Sequence, residues 1–204
     1  MLTAASEFRR IHETFHPKVL RYLARLVGKS EAEDLAQIVM LKVSEGLSGF
    51  RGEASLSTWI YRIATNTALD RLRRSDCGQG LLHDEIQAVR AESEVDSDSQ
   101  TCGLEARSPS AEATAISREM SACIREFVGR LPQNYKTVLA LSELEGLTNA
   151  QIAEILEVSV ETVKIRLHRG RERLRSALEA GCTFDRDERN ELACDRKPRA
   201  DAAT

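Results

Sequence analysis

The chain has 204 residues, enough for one or two domains that each bury a core. Charged residues make up 30% and aromatic residues only 4%, which favours small helical domains over sheets rich in Val, Tyr and Phe. The formal net charge of −3 excludes a global basic field, so any nucleic-acid binding has to come from charge segregated along the chain.

The opening "MLTAASEFRRIHETF" lacks the apolar run of a signal peptide, and no apolar stretch approaches the roughly 18–20 residues needed to span a bilayer. A cytoplasmic protein without a membrane span is expected. Five widely spaced cysteines, an odd number, read there as reduced thiols rather than a disulfide framework.

Helix periodicity runs through residues 1–74. Phe8, Ile11 and Phe15 open one amphipathic segment, and Pro17 stands where a second helix, Val19 to Val27, would begin. In "SEAEDLAQIVMLKVSEGL", Ser30 and Glu33 read as a capping box before a stripe of Leu35, Val39 and Val43. After Gly46 and Gly49, "SLSTWIYRIATNTALDRLRR" resumes a helix that offers Trp59, Ile60, Ile63, Ala64, Leu69 and Leu72 for packing. Arg62, Asn66, Asp70, Arg73 and Arg74 lie on its opposite face. Asn and Asp are poor mid-helix residues, so a polar readout role accounts for them.

Residues 75–112 hold nine acidic residues against Arg90 and Arg107, seven net negative charges. Such a segment reads as a flexible acidic linker, too polar to fold alone, with a short helix over Leu81–Val89 left open. Its 38 residues reach at most roughly 125 Å extended and about 33 Å as a relaxed coil.

Helical signal returns over residues 113–180. Ile116, Met120, Ile124, Phe127 and Val128 form one stripe, and Pro132 starts a further helix. Two helices joined by a tight turn follow, the first capped by Thr148 with Gln151 and the second by Ser159. Ile152, Ile155, Leu156, Val158, Val163 and Leu167 are the core positions of a helix-turn-helix, with Gly170 and Leu174 also facing inward. In "VETVKIRLHRGRERLR", residues 160–175, six Lys and Arg face two Glu, a local charge of +4. Thr162, Arg166, Arg169 and Arg173 are expected on one outward stripe, flanked by Lys164 and His168. A capped partner helix in front of an arginine stripe points to a DNA major groove rather than to a merely solvated surface.

The expected fold class is therefore all-α: two small helical domains joined by an acidic linker, the second holding the helix-turn-helix. The tail, residues 181–204, reads as polar and frayed. Cys182 and Cys194 lie in it beside Arg186, Arg189 and Arg196, which would favour thiolate reactivity. They are candidates for zinc or another metal, but two thiolates need a third ligand, such as Cys77, Cys102 or a carboxylate. No other cofactor is expected.

The two helical blocks in this order resemble the paired domains of bacterial sigma-70 family sigma factors of the extracytoplasmic-function class. "AEDLAQIVMLKV" (32–43) resembles the family's polymerase-binding helix, "FRGEASLSTWIYRIATNTALDRLRR" (50–74) its −10 reader, and "LPQNYKTVLALSELEGLTNAQIAEILEVSVETVKIRLHRGRERLR" (131–175) its −35 reader. The likeness spans roughly residues 5–180. It implies a non-enzymatic protein that binds core RNA polymerase and promoter DNA, with an anti-sigma factor as a further partner that the sequence leaves open.

Carried over residue by residue, Asp34, Gln37 and Lys42 would bind polymerase. Ile38 stands where the family pattern has an acidic residue. Arg51, Arg62, Asn66, Asp70, Arg73 and Arg74 would serve the −10 element, with Phe50–Ser55 as the loop that captures a flipped base. Thr148, Ser159, Thr162, Lys164, Arg166, His168, Arg169 and Arg173 would serve the −35 element, Arg166 and Arg169 at base edges. Lys164, Arg171, Arg173 and Arg175 are read as phosphate holders. A dimeric helix-turn-helix regulator, the main rival, would need a dimerisation surface or ligand pocket, and no segment reads as one. A thiol enzyme finds no C-x-x-C.

Overall fold

A computed structural model describes residues 4–52, 54–76, 124–186 and 192–197. The linker between the blocks, the proposed short helix over residues 81–89, and Cys77 and Cys102 lie outside the described residues.

The N-terminal block has three helices: α1 (Ala4–Leu26), α2 (Lys29–Gly46) and α3 (Leu56–Asp76), with a 3-10 turn at Leu47–Gly49 between the last two. Two sequence expectations change here. Pro17 does not start a helix but sits inside an unbroken α1, on an exposed stretch beside Glu13, so the carbonyl its missing N–H leaves unbonded faces water. Ser30 does not cap α2, because that helix already begins at Lys29. Gly28, at φ 92°, takes the N-cap position and makes the sharp reversal from α1, a backbone conformation that suits glycine.

These helices close over Val19, Tyr22, Leu23, Ala36, Val39, Val43, Ile60 and Ala64, all fully buried. The core is not purely apolar, since Thr58, Thr65 and Thr67 of α3 are buried too. Tyr22 Oη and Thr65 Oγ1 are hydrogen-bonded at 2.8 Å, which satisfies both hydroxyls away from water. Tyr22 also meets the edge of Tyr61, with ring centroids 5.5 Å apart.

The C-terminal block runs through α4 (residues 124–129), α5 (Gln133–Leu139, continued by a π-helical turn at Ala140–Leu144), α6 (Asn149–Leu156) and α7 (Val160–Gly181). Pro132 stands at the N-cap of α5, one position before the expected first turn. Helix α6 packs on α7, and α5 packs on α7 from the other side.

The chain does not fray at residue 181. Strands β1 (Cys182–Arg186) and β2 (Leu192–Arg196) form an antiparallel hairpin, so a small sheet is added to an otherwise helical fold. It is tied to the helices by Lys197 N–H donating to the Gly181 carbonyl at 3.0 Å, Lys197 Nζ to the Glu179 carbonyl at 2.7 Å, and Arg196 to Glu126 at 2.7 Å. Gly181 is required at this junction: a Cβ there would stand 2.5 Å from Cζ of Phe127.

The two blocks share one buried cluster. It runs from Val19 and Ile60 through Leu131, Val138 and Leu141 to Ile152 and Val163, with α3 packed on α6 and the π-helical turn on α1.

Candidate promoter-binding surfaces

The helix-turn-helix is built as its sequence dictates. Thr148 N–H donates to Gln151 Oε1 at 2.9 Å, while Gln151 N–H donates to Thr148 Oγ1 at 3.3 Å, a reciprocal box that satisfies two otherwise orphaned donors of α6. Helix α6 ends at Glu157, whose φ of 55° turns the chain in the left-handed region, and Val158 N–H closes back on the Ala153 carbonyl at 3.1 Å. Ser159 Oγ then caps α7 by accepting from Thr162 N–H at 3.1 Å. Ile152, Ile155, Val163 and Leu167 are buried as expected, and Leu156, Val158 and Leu174 pack against them.

The basic side chains of α7 divide among three environments. On the expected stripe Thr162, Arg166 and Arg169 are half-buried and Arg173 is exposed. Gly170 lets α5 approach so closely that a Cβ there would lie 3.1 Å from Leu139 Cδ1 and 3.3 Å from Tyr135 Cβ. Arg166 and Arg173, one turn before and after that notch, therefore border Tyr135. Arg166 is half-buried, and burial holds its guanidinium below the ordinary arginine range. Its Nε is buried and has no hydrogen-bond partner among the described residues. The Arg173 guanidinium lies over the Tyr135 ring, 4.9 Å from its centroid.

A second group is paired with carboxylates. Arg171 bonds Glu143 of the π-helical turn at 2.7 Å, and Arg175 bonds Glu179 at 2.8 Å. Lys164 and His168 are exposed on the same stripe of α7 as Arg171 and Arg175, at i, i+4, i+7 and i+11, and Arg169 is half-exposed. His168 faces Glu172 one turn on, at 3.8 Å.

On α3, Asn66, Asp70, Arg73 and Arg74 are exposed together, and Arg73 pairs with Asp70 at 3.5 Å. Arg51 is exposed in the preceding loop. Arg62 departs from this group. Its Nη2 donates to the Glu154 carbonyl of α6 at 2.7 Å and lies 3.5 Å from the carboxylate of the same residue. Sequence reasoning missed this contact and its neighbour, a hydrogen bond from Tyr61 Oη to the Glu145 carboxylate. Burial foremost, with the Glu145 hydrogen bond and charge behind it, pushes the Tyr61 phenol well above the usual tyrosine range. The pairing joins residues 84 apart, so no local pattern announces it.

On α2, Asp34, Gln37, Ile38 and Leu41 fall at i, i+3, i+4 and i+7 and are all exposed, with Ile38 43% and Leu41 60% accessible. Ile38 and Leu41 are thus large aliphatic side chains left exposed on α2, beside the polar Asp34 and Gln37. Lys42 turns aside from it and donates to Thr67 Oγ1 of α3 at 3.0 Å. Arg71 and Glu31, 2.7 Å apart, brace the same two helices.

Trp59 packs, as its place in the periodic pattern of α3 implies. Phe50 packs on Trp59, ring centroids 5.1 Å apart, and a Cβ on Gly46 would stand 2.9 Å from Trp59 Cζ2, so Trp59 is a packing residue of the α2–α3 corner.

In the hairpin, Cys182 is buried, only 2% exposed, at the C-terminal end of α7. That corrects the expectation that nothing in the tail could cover it. The register sets Cys182 across from Arg196 and Cys194 across from Phe184. Among the described residues, no three His, Cys, Asp or Glu side chains gather as metal ligands, and a cationic residue opposite Cys182 is the wrong chemistry for a cation. This arrangement gives a tail metal site no support.

Comparison with known proteins agrees with this geometry. The Sigma-70 region 2 family matches residues 11–76, and the Sigma-70 region 4 family matches residues 121–174. The ECF RNA polymerase sigma factor SigW of Bacillus subtilis is 32% identical over 181 residues, covering 84% of this chain and 88% of the relative. The ECF RNA polymerase sigma-E factor of Haemophilus influenzae is 32% identical over 172 residues, covering 84% and 87%. Among solved structures, the sigma factor RpoE of Bartonella quintana, in complex with the anti-sigma factor NepR, superposes with a TM-score of 0.60 at 20% identity, covering 85% of this chain and 97% of that one. CnrH in complex with the cytosolic domain of CnrY gives 0.56 at 20% identity, covering 85% and 88%. The chain belongs to the sigma-70 family of RNA polymerase sigma factors, in its ECF class, and its function is promoter recognition in transcription initiation. No helix among the described residues is long and apolar enough to cross a membrane.

Proposed function

We propose that this sigma factor divides its work among three faces. The outer face of α2, with Asp34, Gln37, Ile38 and Leu41, docks on core polymerase. Ile38 supplies apolar contact where the family pattern has an acidic residue, Leu41 extends it, and Lys42 serves this face by bracing α2 against α3. The exposed row of α3, Asn66, Asp70, Arg73 and Arg74, with Arg62 and Arg51, holds the −10 element. Opening the duplex costs roughly 1.4 kcal/mol per stacked step, so captured bases must offset that cost.

The −35 element is read by α7. Exposed Lys164 and His168 and half-exposed Arg169 are the direct readers. A guanidinium fork on guanine is worth about 1–3 kcal/mol, which makes Arg169 the main base-edge contact. Thr148 and Ser159 offer capped helix N-termini to phosphates, and Thr162 lies beside them. Arg166 and Arg173 border the groove from the Tyr135 side and hold the backbone rather than bases.

The single observation that carries the reading is the doubly capped helix-turn-helix standing beside a polar-faced α3 in one chain. The protein acts in the cytoplasm with core polymerase, catalyses no reaction of its own and needs no cofactor. An anti-sigma factor is a fitting third partner, because the sigma factor RpoE of Bartonella quintana was solved with one. Residues 1–74 form the −10 and polymerase module, 113–180 the −35 module, and 75–112 the acidic tether. Run-off transcription with core polymerase over a promoter library tests the whole: transcripts that depend on this chain and share two sequence elements are expected. Absence of any chain-dependent transcript, or no co-purification with core at low salt, would overturn it.

A further inference from the structure

Residues 12–16 of α1 read H-E-T-F-H, two histidines one helical turn apart with a glutamate beside the first. That spacing is the one with which an α-helix presents two imidazoles to a zinc ion. The promoter-binding surfaces use none of these residues.

The two rings lie together. Their centroids are 4.7 Å apart and their planes 21° from parallel, so both side chains leave the helix in the same direction. Phe8, a turn earlier, stands beside the His12 ring at 6.0 Å. His12 is exposed and His16 half-buried, and neither imidazole has a hydrogen bond or ion pair to another described residue. Two Zn–N bonds of roughly 2.0–2.1 Å at a tetrahedral angle set their nitrogens about 3.3 Å apart. Rings already side by side reach that by turning about χ2, with no movement of the helix.

His12 and Glu13 also line an open groove of about 710 Å³ between α1 and the end of α2, with Glu7, Arg9, Ser44 and Ser48 on its walls. Two carboxylates against one guanidinium favour a cation there, and their oxygens can accept hydrogen bonds from waters that complete the ion's coordination. Among the described residues no third His, Cys, Asp or Glu joins the pair, so the site is open and exchangeable, unlike the three-ligand centre of a zinc hydrolase.

Pro17 gives the pair a structural purpose. It sits inside α1 with no N–H, so the Glu13 carbonyl one turn back lacks its helical hydrogen bond. A His12–metal–His16 bridge spans the same turn through side chains. We propose that His12 and His16 bind one divalent transition-metal ion, of the imidazole-preferring class of zinc, nickel and copper, which staples α1 across the turn that Pro17 weakens. The ion stiffens the helix that packs on α2 and takes no part in reading DNA.

Calorimetric titration of the reduced full-length chain with nickel chloride tests the site, beside His12→Gln, His16→Gln and, as a control at an exposed histidine elsewhere, His168→Gln. The cysteines are the same in all four proteins, so metal held by thiolate cancels in the comparison. Loss of a ligand should cost at least the roughly 10–100-fold that loss of an outer-shell partner does, so both pair variants are expected to bind the ion at least tenfold more weakly than wild type and control. With nickel at about ten times its wild-type dissociation constant, the rise in melting temperature of wild type and control should be at least about three times that of the pair variants. Amide exchange over residues 12–18 should slow in wild type when the ion is bound. If His16→Gln melts lower without metal, His12→Gln, at the more exposed position, is judged alone by the same readouts. Equal nickel stoichiometry and affinity in all four proteins would overturn the site, as would unchanged affinity in His12→Gln. Binding that leaves amide exchange in α1 unaltered would overturn the staple.

Discussion

Helices α3 and α7 carry the two DNA-reading faces, yet they are built on opposite plans. Helix α3 buries hydroxyls: Thr58, Thr65, Thr67 and Tyr61 all turn inward, and Asn66, Asp70, Arg73 and Arg74 are left exposed together. Helix α7 buries an aliphatic stripe and a glycine, while Arg166 and Arg173 border an aromatic ring and Arg171 and Arg175 pair with carboxylates. The difference matches the two tasks. A duplex reader gains from side chains already oriented before contact, because less rotamer freedom is lost on binding. A face that captures separated strands has to adapt to unpaired bases, and an exposed row on a rigid, hydrogen-bonded helix keeps that freedom.

The sharpest test of the two-plan view asks whether the blocks are two folding units or one. Leu141, fully buried in the π-helical turn, belongs to the cluster that joins them. Leu141→Ala is expected to cost about 2–5 kcal/mol, the range for a leucine truncated in a packed core. Denaturant unfolding followed by Trp59 fluorescence, an N-terminal probe, should shift together with the helical circular dichroism of the whole chain. A Trp59 transition that stays at its wild-type midpoint would show that the blocks unfold independently.

Much of this architecture was legible in the sequence, and its legible parts are local. The two helix caps at Thr148 and Ser159, the turn at Val158 and the four core positions flanking it follow from residue types at fixed spacing, and each appears where the pattern puts it. The misreadings have physical causes. Pro17 looked like a boundary because proline disfavours helix interiors, but a long helix with a solvated outer face absorbs the lost hydrogen bond. The hairpin escaped because "CTFDR" and "LACDR" are short, charged and without a compact turn signal between them. The half-burial of Arg166 beside Tyr135 depends on where α5 crosses α7, and the Tyr61–Glu145 bond on how two distant blocks meet. Periodicity carries neither kind of information.

The second test concerns the plan of α7 itself. Gly170→Val places two methyl groups where Leu139 and Tyr135 already stand, within 3.1–3.3 Å of the added Cβ. An overpacked junction of this kind typically costs about 1–3 kcal/mol. The α5–α7 crossing should spread, carrying Arg166 and Arg173 off Tyr135, so −35 discrimination should weaken alongside thermal stability. Unchanged promoter preference in a destabilised variant would mean that Tyr135 plays no part in holding the reading face.

A smaller effect separates the capped helix from the uncapped one. Ser159→Ala removes the acceptor for Thr162 N–H and should cost about 1 kcal/mol, whereas Ser30→Ala, at a position that caps nothing, should be near neutral. Equal losses at both positions, measured by thermal unfolding, would put the start of α2 back at Ser30.

The smallest expected change tests whether the paired arginines of α7 are stabilisers or DNA contacts held in reserve. Arg171 and Glu143 are both more than half exposed, and such a pair contributes about 0–1 kcal/mol, so Glu143→Ala should scarcely move the melting temperature. Releasing Arg171 should nonetheless strengthen promoter binding by holoenzyme, because a cation that was shared with a carboxylate becomes fully available to a phosphate. Arg171→Ala should do the reverse: binding weakens by a similar factor across all sequences, and the slope of log affinity against log salt falls by about one unit, as one phosphate contact predicts. The same slope change is not expected for Arg175→Ala, whose partner Glu179 lies a turn further along α7, beyond the helix-turn-helix core. If Arg171→Ala alters preference among base pairs while leaving the salt slope intact, the residue belongs with Arg169 as a reader of sequence, and its assignment to the phosphate backbone would have to be redrawn.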